Sequence, residues 1–118
     1  MMFVKWIQEL YNEGARTILV KNVGPQGCQP FWLSLAPNDF DKNGCSISFN
    51  DAVLYYNNLL IQSLSYLRTQ LKETNIIYVN NYDMVHDLMA NPSTYGAHCK
   101  FGFVYTSFYF IPFHFYVI

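Results

Sequence analysis

Two residues in the last third of the chain, Asp83 and His86, have the types and spacing that acid–base chemistry requires. Asp83-Met84-Val85-His86 is an Asp-x-x-His pattern, and positions i and i+3 of a helix share a face, so a carboxylate could orient an imidazole. Acyl transfer would also need an activated hydroxyl nucleophile. None of the chain's seven serines lies in a Gly-Asp-Ser sequence or on a glycine-flanked strand-to-helix turn. The pattern therefore offers a base without a nucleophile. The serines are Ser34, Ser46, Ser48, Ser63, Ser65, Ser93 and Ser107.

Metal-ligand chemistry has four candidate side chains, Cys28, Cys45, His98 and Cys99. They are sufficient in number for a tetrahedral site, but no Cys-x-x-Cys pair occurs and their spacings match no structural zinc pattern. We therefore expect no metal site. Three cysteines also allow one disulfide with one thiol left over, and the spacing alone does not assign the pair.

The stretch from Val23 to Cys28, VGPQGC, could cradle a phosphate because it is a glycine-rich turn that follows a strand-like run. Dinucleotide-binding turns open directly into a helix and present backbone N–H groups to the phosphate. Pro25 and Pro30 remove two such donors, and a long loop follows instead of a helix. We expect a stiff structural corner and no nucleotide or other cofactor.

The composition limits the classes of partner. The 118 residues are 52% hydrophobic and only 13% charged, whereas about 25% is usual for a soluble domain. The formal net charge of −1 provides no basic surface for nucleic acid. Residues 101–118 contain no Asp, Glu, Lys or Arg, and Gly102, Pro112 and His114 interrupt their apolar character. A membrane-spanning helix needs about 20 apolar residues, so we expect an irregular aromatic tail and no membrane span.

Hydrophobic periodicity and turn residues predict five elements ahead of that tail. Helical spacing and β-branched runs predict the order helix, strand, helix, strand, helix, which is typical of a parallel α/β layer. Residues 24–47 are expected to form one long loop, and Ser48 is expected to cap the long helix, with Asp51 at its third position. The predicted elements are a helix over 2–13, a strand over Thr17–Val23, a helix over 49–73, a strand over Asn75–Val79 and a helix over Tyr82–Met89.

Several segments in this order resemble the plant GDSL-type esterase/lipase family of the SGNH hydrolase superfamily. The resemblance begins with LYNEGARTILVKNVGPQGCQP at 10–30 and DKNGC at 41–45. It continues with FNDAVLYYNNLL at 49–60 and IIYVNNYDMVHDLMANPSTYG at 76–96. It implies part of a three-layer α/β/α sandwich around a parallel sheet. Residues 1–96 would be the central portion of a hydrolase domain, and residues 97–118 an apolar tail outside the family pattern.

The same resemblance implies ester hydrolysis by a serine in a Gly-Asp-Ser block, with a Gly-x-Asn-Asp block and a late Asp-x-x-His block. Asp83 and His86 precede the Asn-Pro-x-x-Tyr-Gly segment, whereas the family's pair follows it. Ala36-Pro37-Asn38-Asp39 resembles Gly-x-Asn-Asp but comes after the Gly-Pro turn instead of before it. We therefore expect no catalytic residue among the 118, a chain that is inactive alone, and a small-molecule ester as the substrate of the intact family enzyme.

Three expectations concern the setting of the chain. Residues 1–14 carry Lys5 and Glu9 and lack the uninterrupted apolar run of a secretory signal, although the family resemblance implies an extracellular full-length protein. In an oxidising compartment, a disulfide between Cys28 and Cys45 would close the long loop and stabilise the fold by about 3 kcal/mol. The alternatives to a truncated hydrolase are a non-catalytic interaction fragment, whose partner protein the sequence does not identify, and the product of an incomplete gene model.

Overall fold

The fold was obtained as a computed structural model that describes residues 2–35, 38–96 and 115–117. The five predicted helices and strands occur in the predicted order along the first 90 residues, with one additional short helix between the first strand and the long helix. The elements are α1 (Met2–Asn12), β1 (Thr17–Lys21), α2 (Pro30–Leu35), α3 (Ile47–Gln70), β2 (Asn75–Val79), α4 (Asn81–Ala90) and β3 (Phe115–Val117), with 3₁₀ turns at Gln26–Cys28 and Pro92–Tyr95.

A three-stranded sheet in the order β2-β1-β3 forms the centre of the fold. β1 and β2 are parallel, with Thr17 opposite Asn75 and Lys21 opposite Val79. This pairing confirms the predicted parallel α/β layer. β3 is antiparallel to β1, with Val117 opposite Ile18.

β3 falls within the segment that the sequence analysis described as an irregular tail. Its aromatic and β-branched residues suit a strand, and the edge of β1 that faces away from β2 would otherwise leave backbone N–H and C=O groups unpaired. The expectation that residues 101–118 do not span a membrane falls mostly on residues outside the described part, since only 115–117 of them are described. None of the described helices has the length and apolar character needed to cross a bilayer.

The main core lies between one face of the sheet and the helices α1 and α3. Alternate residues of β1, Ile18 and Val20, point into it and are almost fully buried, as expected for a strand that is covered on that face. Removal of each such side chain from water contributes roughly 1.5–3 kcal/mol. The other members are Phe3, Ile7, Leu60, Leu64, Leu67, Leu71 and Ile76.

A second, smaller cluster consists of Cys28, Cys45, Val85 and Met89. We call it the disulfide cluster because Cys28 and Cys45 form a disulfide in the structure. It connects the 3₁₀ turn after β1, the residue before the α3 cap and the inner face of α4.

The predicted end of β1 and the predicted loop over 24–47 need correction, whereas the ends of the three predicted helices shift by at most about three residues. The strand ends at Lys21 instead of Val23, because the backbone N–H and C=O of Val23 bond to the side chain of Asn57 and not to a neighbouring strand. Residues 24–47 are not one loop, because Pro30–Leu35 form a short helix that starts with proline, a favourable first helical residue.

The predicted cap of α3 was also wrong. The helix begins at Ile47, and its N-cap is Ser46, whose Oγ accepts a hydrogen bond from the Phe49 N–H at 3.4 Å. Ser48 lies in the first turn and donates through both its N–H and its hydroxyl to Asp39. Since a carboxylate from the preceding loop occupies the helix N-terminus, the capping position moves two residues earlier than the sequence pattern indicated.

Candidate functional site

The carboxyl ends of β1 and β2 meet at one edge of the sheet, which is where ligands bind in open parallel α/β folds. Asn22, Val23 and Gly24 follow β1, and Asn80 and Asn81 follow β2. This edge is therefore the candidate functional site, and its polar side chains are mostly carboxamides.

Asn22 connects the two strand ends to the start of α4. Its side chain is 3% exposed, and its Nδ2 donates to the Tyr78 hydroxyl at 2.7 Å and to Asn80 Oδ1 at 3.0 Å. Its Oδ1 accepts a hydrogen bond from the Tyr82 N–H at 2.9 Å. A buried amide costs free energy unless its groups are paired, and Asn22 uses both ends. It therefore fixes the geometry of this edge.

Two asparagines of α3 hold the segment that leaves β1. Asn57 Oδ1 accepts from the Val23 N–H at 3.0 Å, and Asn57 Nδ2 donates to the Val23 carbonyl at 2.8 Å. Earlier in the same helix, Asn50 Oδ1 accepts a hydrogen bond from the Gly27 N–H at 2.8 Å. Asn50 Nδ2 also contacts Cys28 Sγ at 3.6 Å. The backbone of the turn after β1 therefore forms hydrogen bonds with side chains of α3, where the backbone of a strand would bond to a neighbouring strand.

The disulfide holds the same turn from the other side. The structure brings Cys28 and Cys45 together with Cα atoms 4.3 Å apart, and the Ser46 N–H donates to the Gly27 carbonyl at 2.8 Å beside them. Gly27 has no room for a side chain, because an added Cβ would lie 2.4 Å from the Ser46 backbone oxygen. The Gly27 N–H bonds to Asn50 and the Cys28 N–H to the Pro25 carbonyl, so these two amides are not presented to a phosphate.

Two tyrosines at the edge stay neutral. Burial raises the pKa of Tyr78, against the opposing effect of its hydrogen bond to Asn22. Burial also raises the pKa of Tyr82, and the nearby charges of Asp41, Asp51 and Asp83 raise it further. Neither phenol is therefore prepared to act as a base, and the Tyr78 hydroxyl serves as a neutral hydrogen-bond acceptor for Asn22.

The structure places Asp83 and His86 on α4 but does not join them. Asp83 is occupied by the helix cap: Asn80 Nδ2 donates to its carboxylate at 2.6 Å, and its own N–H donates to Asn80 Oδ1 at 3.2 Å. The His86 ring stacks on Tyr82 with centroids 5.9 Å apart. Within the described residues no hydrogen bond connects the two, so the Asp-x-x-His pattern has a structural explanation.

The Asp39 carboxylate likewise has a structural role, because it accepts hydrogen bonds at the start of α3. Its carboxylate accepts from the Ser48 N–H at 2.8 Å, from Ser46 Oγ at 3.2 Å and from the Ser48 hydroxyl. The Ser48 hydroxyl and then its N–H lower the pKa of Asp39, so the carboxylate stays ionised at the N-terminus of α3. Ala36 and Pro37, the first half of that pattern, lie outside the described residues.

No three His, Cys, Asp or Glu residues within the described ranges are arranged to hold a metal ion. Cys28 and Cys45, two of the four ligand candidates, are joined to each other instead. His98 and Cys99, the other two, lie outside those ranges.

The roles of Asn22, Asn50 and Asn57 were not predicted from the sequence. One signal was present, because Asn50 and Asn57 are seven residues apart and fall on the same helix face as Leu60, Leu64 and Leu67. Two carboxamides on an otherwise apolar face indicate that a backbone segment without a strand partner packs there.

Comparison with known proteins identifies the family. The family described as GDSL-like Lipase/Acylhydrolase matches residues 2–108. GDSL esterase/lipase At4g01130 of Arabidopsis thaliana is 44% identical over 105 residues, and GDSL esterase/lipase At1g09390 of the same plant is 45% identical over 103. Each alignment covers 81% of this chain and 28% of the relative.

Alpha-L-fucosidase 3 of Arabidopsis thaliana is a third relative, 33% identical over 97 residues, covering 80% of this chain and 26% of that protein. No solved structure is significantly similar to the chain. The chain thus spans somewhat more than a quarter of the length of these curated relatives. The family match covers most of the chain, in agreement with the parallel α/β core, and the chain belongs to the GDSL-like lipase/acylhydrolase family.

Proposed function

We propose that these residues supply scaffold for a carboxylic-ester hydrolase and that the 118-residue chain alone hydrolyses no ester. The observation that carries the proposal is that the polar side chains at the strand edge are used for structure. Asn22 bonds to the hydroxyl of the neutral Tyr78, and Asn57 bonds to the backbone of Val23. Ester hydrolysis in this family would need a nucleophile, a base and oxyanion donors at one place, and removal of one catalytic partner already costs orders of magnitude in rate.

The serines support the proposal because most of those described have structural partners. Ser46 and Ser48 organise the N-terminus of α3, as described above. The hydroxyls of Ser34, Ser63 and Ser65 donate to backbone carbonyls three or four residues earlier. These three hydroxyls therefore donate to backbone and not to a general base, and the carboxylate that Ser46 and Ser48 contact is fixed at the N-terminus of a helix.

The substrate class proposed for the whole enzyme is a small-molecule ester. The names of two relatives, esterase/lipase, support this choice, whereas the fucosidase name of a third makes a glycoside the alternative. The carboxamides and neutral phenols at the strand edge could accompany either substrate, so both must be assayed.

A chimera tests the proposal. The aligned segment of GDSL esterase/lipase At4g01130 is replaced by the corresponding residues of this chain, and hydrolysis of p-nitrophenyl butyrate and p-nitrophenyl α-L-fucoside is measured. We expect a soluble chimera whose rate of ester hydrolysis lies within about tenfold of the parent's, because the exchanged segment supplies scaffold and not catalytic residues. A tenfold change in rate corresponds to about 1.4 kcal/mol in the activation free energy. A soluble, cooperatively folded chimera without ester hydrolysis contradicts the proposal, and activity on the fucoside alone redirects it to glycosides.

A further inference from the structure

The disulfide cluster is separate from the main core. The main core joins α1, the sheet and α3, whereas the disulfide cluster consists of two sulfurs and two side chains of α4. Val85 and Met89 are four residues apart on one face of α4 and are 8% and 3% exposed. The second half of this helix therefore rests its buried apolar side chains on a disulfide instead of on the sheet.

The first turn of α4 is held differently. The Tyr82 N–H bonds to Asn22, Asn80 caps the helix, and the Asn81 side chain packs against Gly24. These contacts are polar or local to the strand ends.

The two faces of α4 differ in burial. Met84, on the side opposite Val85 and Met89, is 63% exposed. Among the described residues, Val85 and Met89 thus share their buried cluster with the two cysteines.

We infer that the Cys28–Cys45 disulfide and the docking of α4 form one redox-sensitive latch. A dithiol reductant would transfer two electrons and two protons to the disulfide, giving two cysteine thiols and the cyclic disulfide of the reductant. Two thiols cannot approach as closely as bonded sulfurs, which are about 2.05 Å apart, so the surface under Val85 and Met89 changes shape. Reduction also frees the loop between the cysteines and weakens its hold on the 3₁₀ turn.

The docked helix α4 in turn protects the disulfide from reduction, because both cysteines are buried. Cys45 is 0% exposed and Cys28 3% exposed, and the α4 side chains Val85 and Met89 pack against them. A reductant therefore reaches the sulfurs only when the region opens locally. Because two coupled equilibria affect each other equally, whatever weakens docking exposes the disulfide, and reduction of the disulfide weakens docking.

The first test measures how fast dithiothreitol reduces the disulfide, using alkylation and intact mass. The full chain is used with Cys99→Ser, which prevents exchange with the third thiol. Met89→Ala removes a side chain from the disulfide cluster, and Met84→Ala is the matched control on the exposed side of the same helix. We expect Met89→Ala to accelerate reduction at least about tenfold and Met84→Ala to change it less than twofold, because only the first leaves a cavity. Equal rates for the two variants overturn the inference.

The second test does not depend on a substitution in α4. Hydrogen exchange is compared by mass spectrometry between oxidised and reduced Cys99→Ser protein. We expect reduction to remove protection from 85–90 and 26–28, while the main-core segments 17–21 and 60–67 keep theirs. Unchanged protection of 85–90 overturns the latch, as does an equal loss in both regions or failure of Cys28 and Cys45 to pair under oxidising conditions. These outcomes are independent of whether the chain takes part in ester hydrolysis.

Discussion

Among the described glycines, Gly27 has the least space for a side chain. Its missing side chain allows the turn after β1 to touch the residue before α3, and a Cβ would lie 2.4 Å from the Ser46 backbone oxygen and 2.8 Å from Asn50 Oδ1. Since a backbone atom cannot rotate away, we expect Gly27→Ala to lower the free energy of unfolding by roughly 1–3 kcal/mol or more. Urea denaturation followed by circular dichroism measures the change.

Gly24→Ala is the comparison for that substitution. The nearest atom to its Cβ would be Asn81 Nδ2 at 2.9 Å, the end of a side chain that can shift. We therefore expect a smaller loss than for Gly27→Ala. A larger loss at Gly24 would mean that the turn is not packed against α3 as described.

Asn57 provides a second test at the scale of one residue. Asn57→Leu removes both partners of the Val23 backbone and leaves a donor and an acceptor unpaired. Because Val23 is half-buried, water replaces these partners only in part, and each lost bond costs about 1 kcal/mol, so we expect the urea midpoint to fall. Asn58→Leu, on the exposed side of the same helix, is the control and should change the midpoint little. Similar midpoints for the two variants would contradict the role assigned to Asn57.

At the scale of elements, the interaction of Asp39 with the start of α3 predicts a pH dependence. Hydrogen bonds from Ser48 lower the pKa of Asp39 in the folded chain below its ordinary value of 3.8. A lowered pKa means that the stabilising effect is complete above the unfolded-state pKa and disappears as the pH falls through the folded-state pKa. Asp39→Asn should therefore be less stable than the wild type at pH 6, and the difference should shrink towards pH 3.

Thermal unfolding of both proteins between pH 3 and pH 7 checks this expectation. Asp87 contributes its own acid sensitivity, because hydrogen bonds from Tyr95 and Asn91 lower its pKa, but this effect is present in both proteins and cancels in the comparison. Asp51→Asn removes a carboxylate of α3 that lies outside the hydrogen bonds around Asp39 and serves as the control. A stability difference for Asp39→Asn that is independent of pH would contradict the account.

The elements were largely predictable from the sequence, and their exceptions have physical causes. β2 matches the prediction at both ends, because Asn75–Val79 lies between a helix end and the Asn80 cap. The α3 cap was misplaced because Ser48 has the right spacing to Asp51, while the deciding partner, Asp39, approaches only in three dimensions. The Asn22 network was missed for the same reason, since its members are 56 to 60 residues apart.

At the scale of the whole molecule, the sequence motifs and the comparisons indicate the same family. The low content of charged residues is reflected in the apolar side chains at the surface. Several large apolar side chains are exposed, including Phe31 at 55%, Leu35 at 61% and Tyr55 at 69%, as expected for a chain that is only 13% charged. Family membership concerns the fold, whereas catalysis depends on particular residues at one site. The chain spans 28% of the two esterase/lipase relatives compared above, so the activity of the whole enzyme is a proposal.

The most direct test of the scaffold proposal is incubation of the purified, oxidised 118-residue chain with a serine-reactive fluorophosphonate and with p-nitrophenyl butyrate. Circular dichroism of the same sample confirms that the chain is folded. We expect no covalent adduct by intact mass and no ester hydrolysis above the buffer rate. Among the described serines, the hydroxyls of Ser34, Ser63 and Ser65 donate to backbone carbonyls, and those of Ser46 and Ser48 donate to Asp39 at the start of α3 instead of to an imidazole. A stoichiometric adduct on one serine, together with turnover that the adduct abolishes, would contradict the proposal.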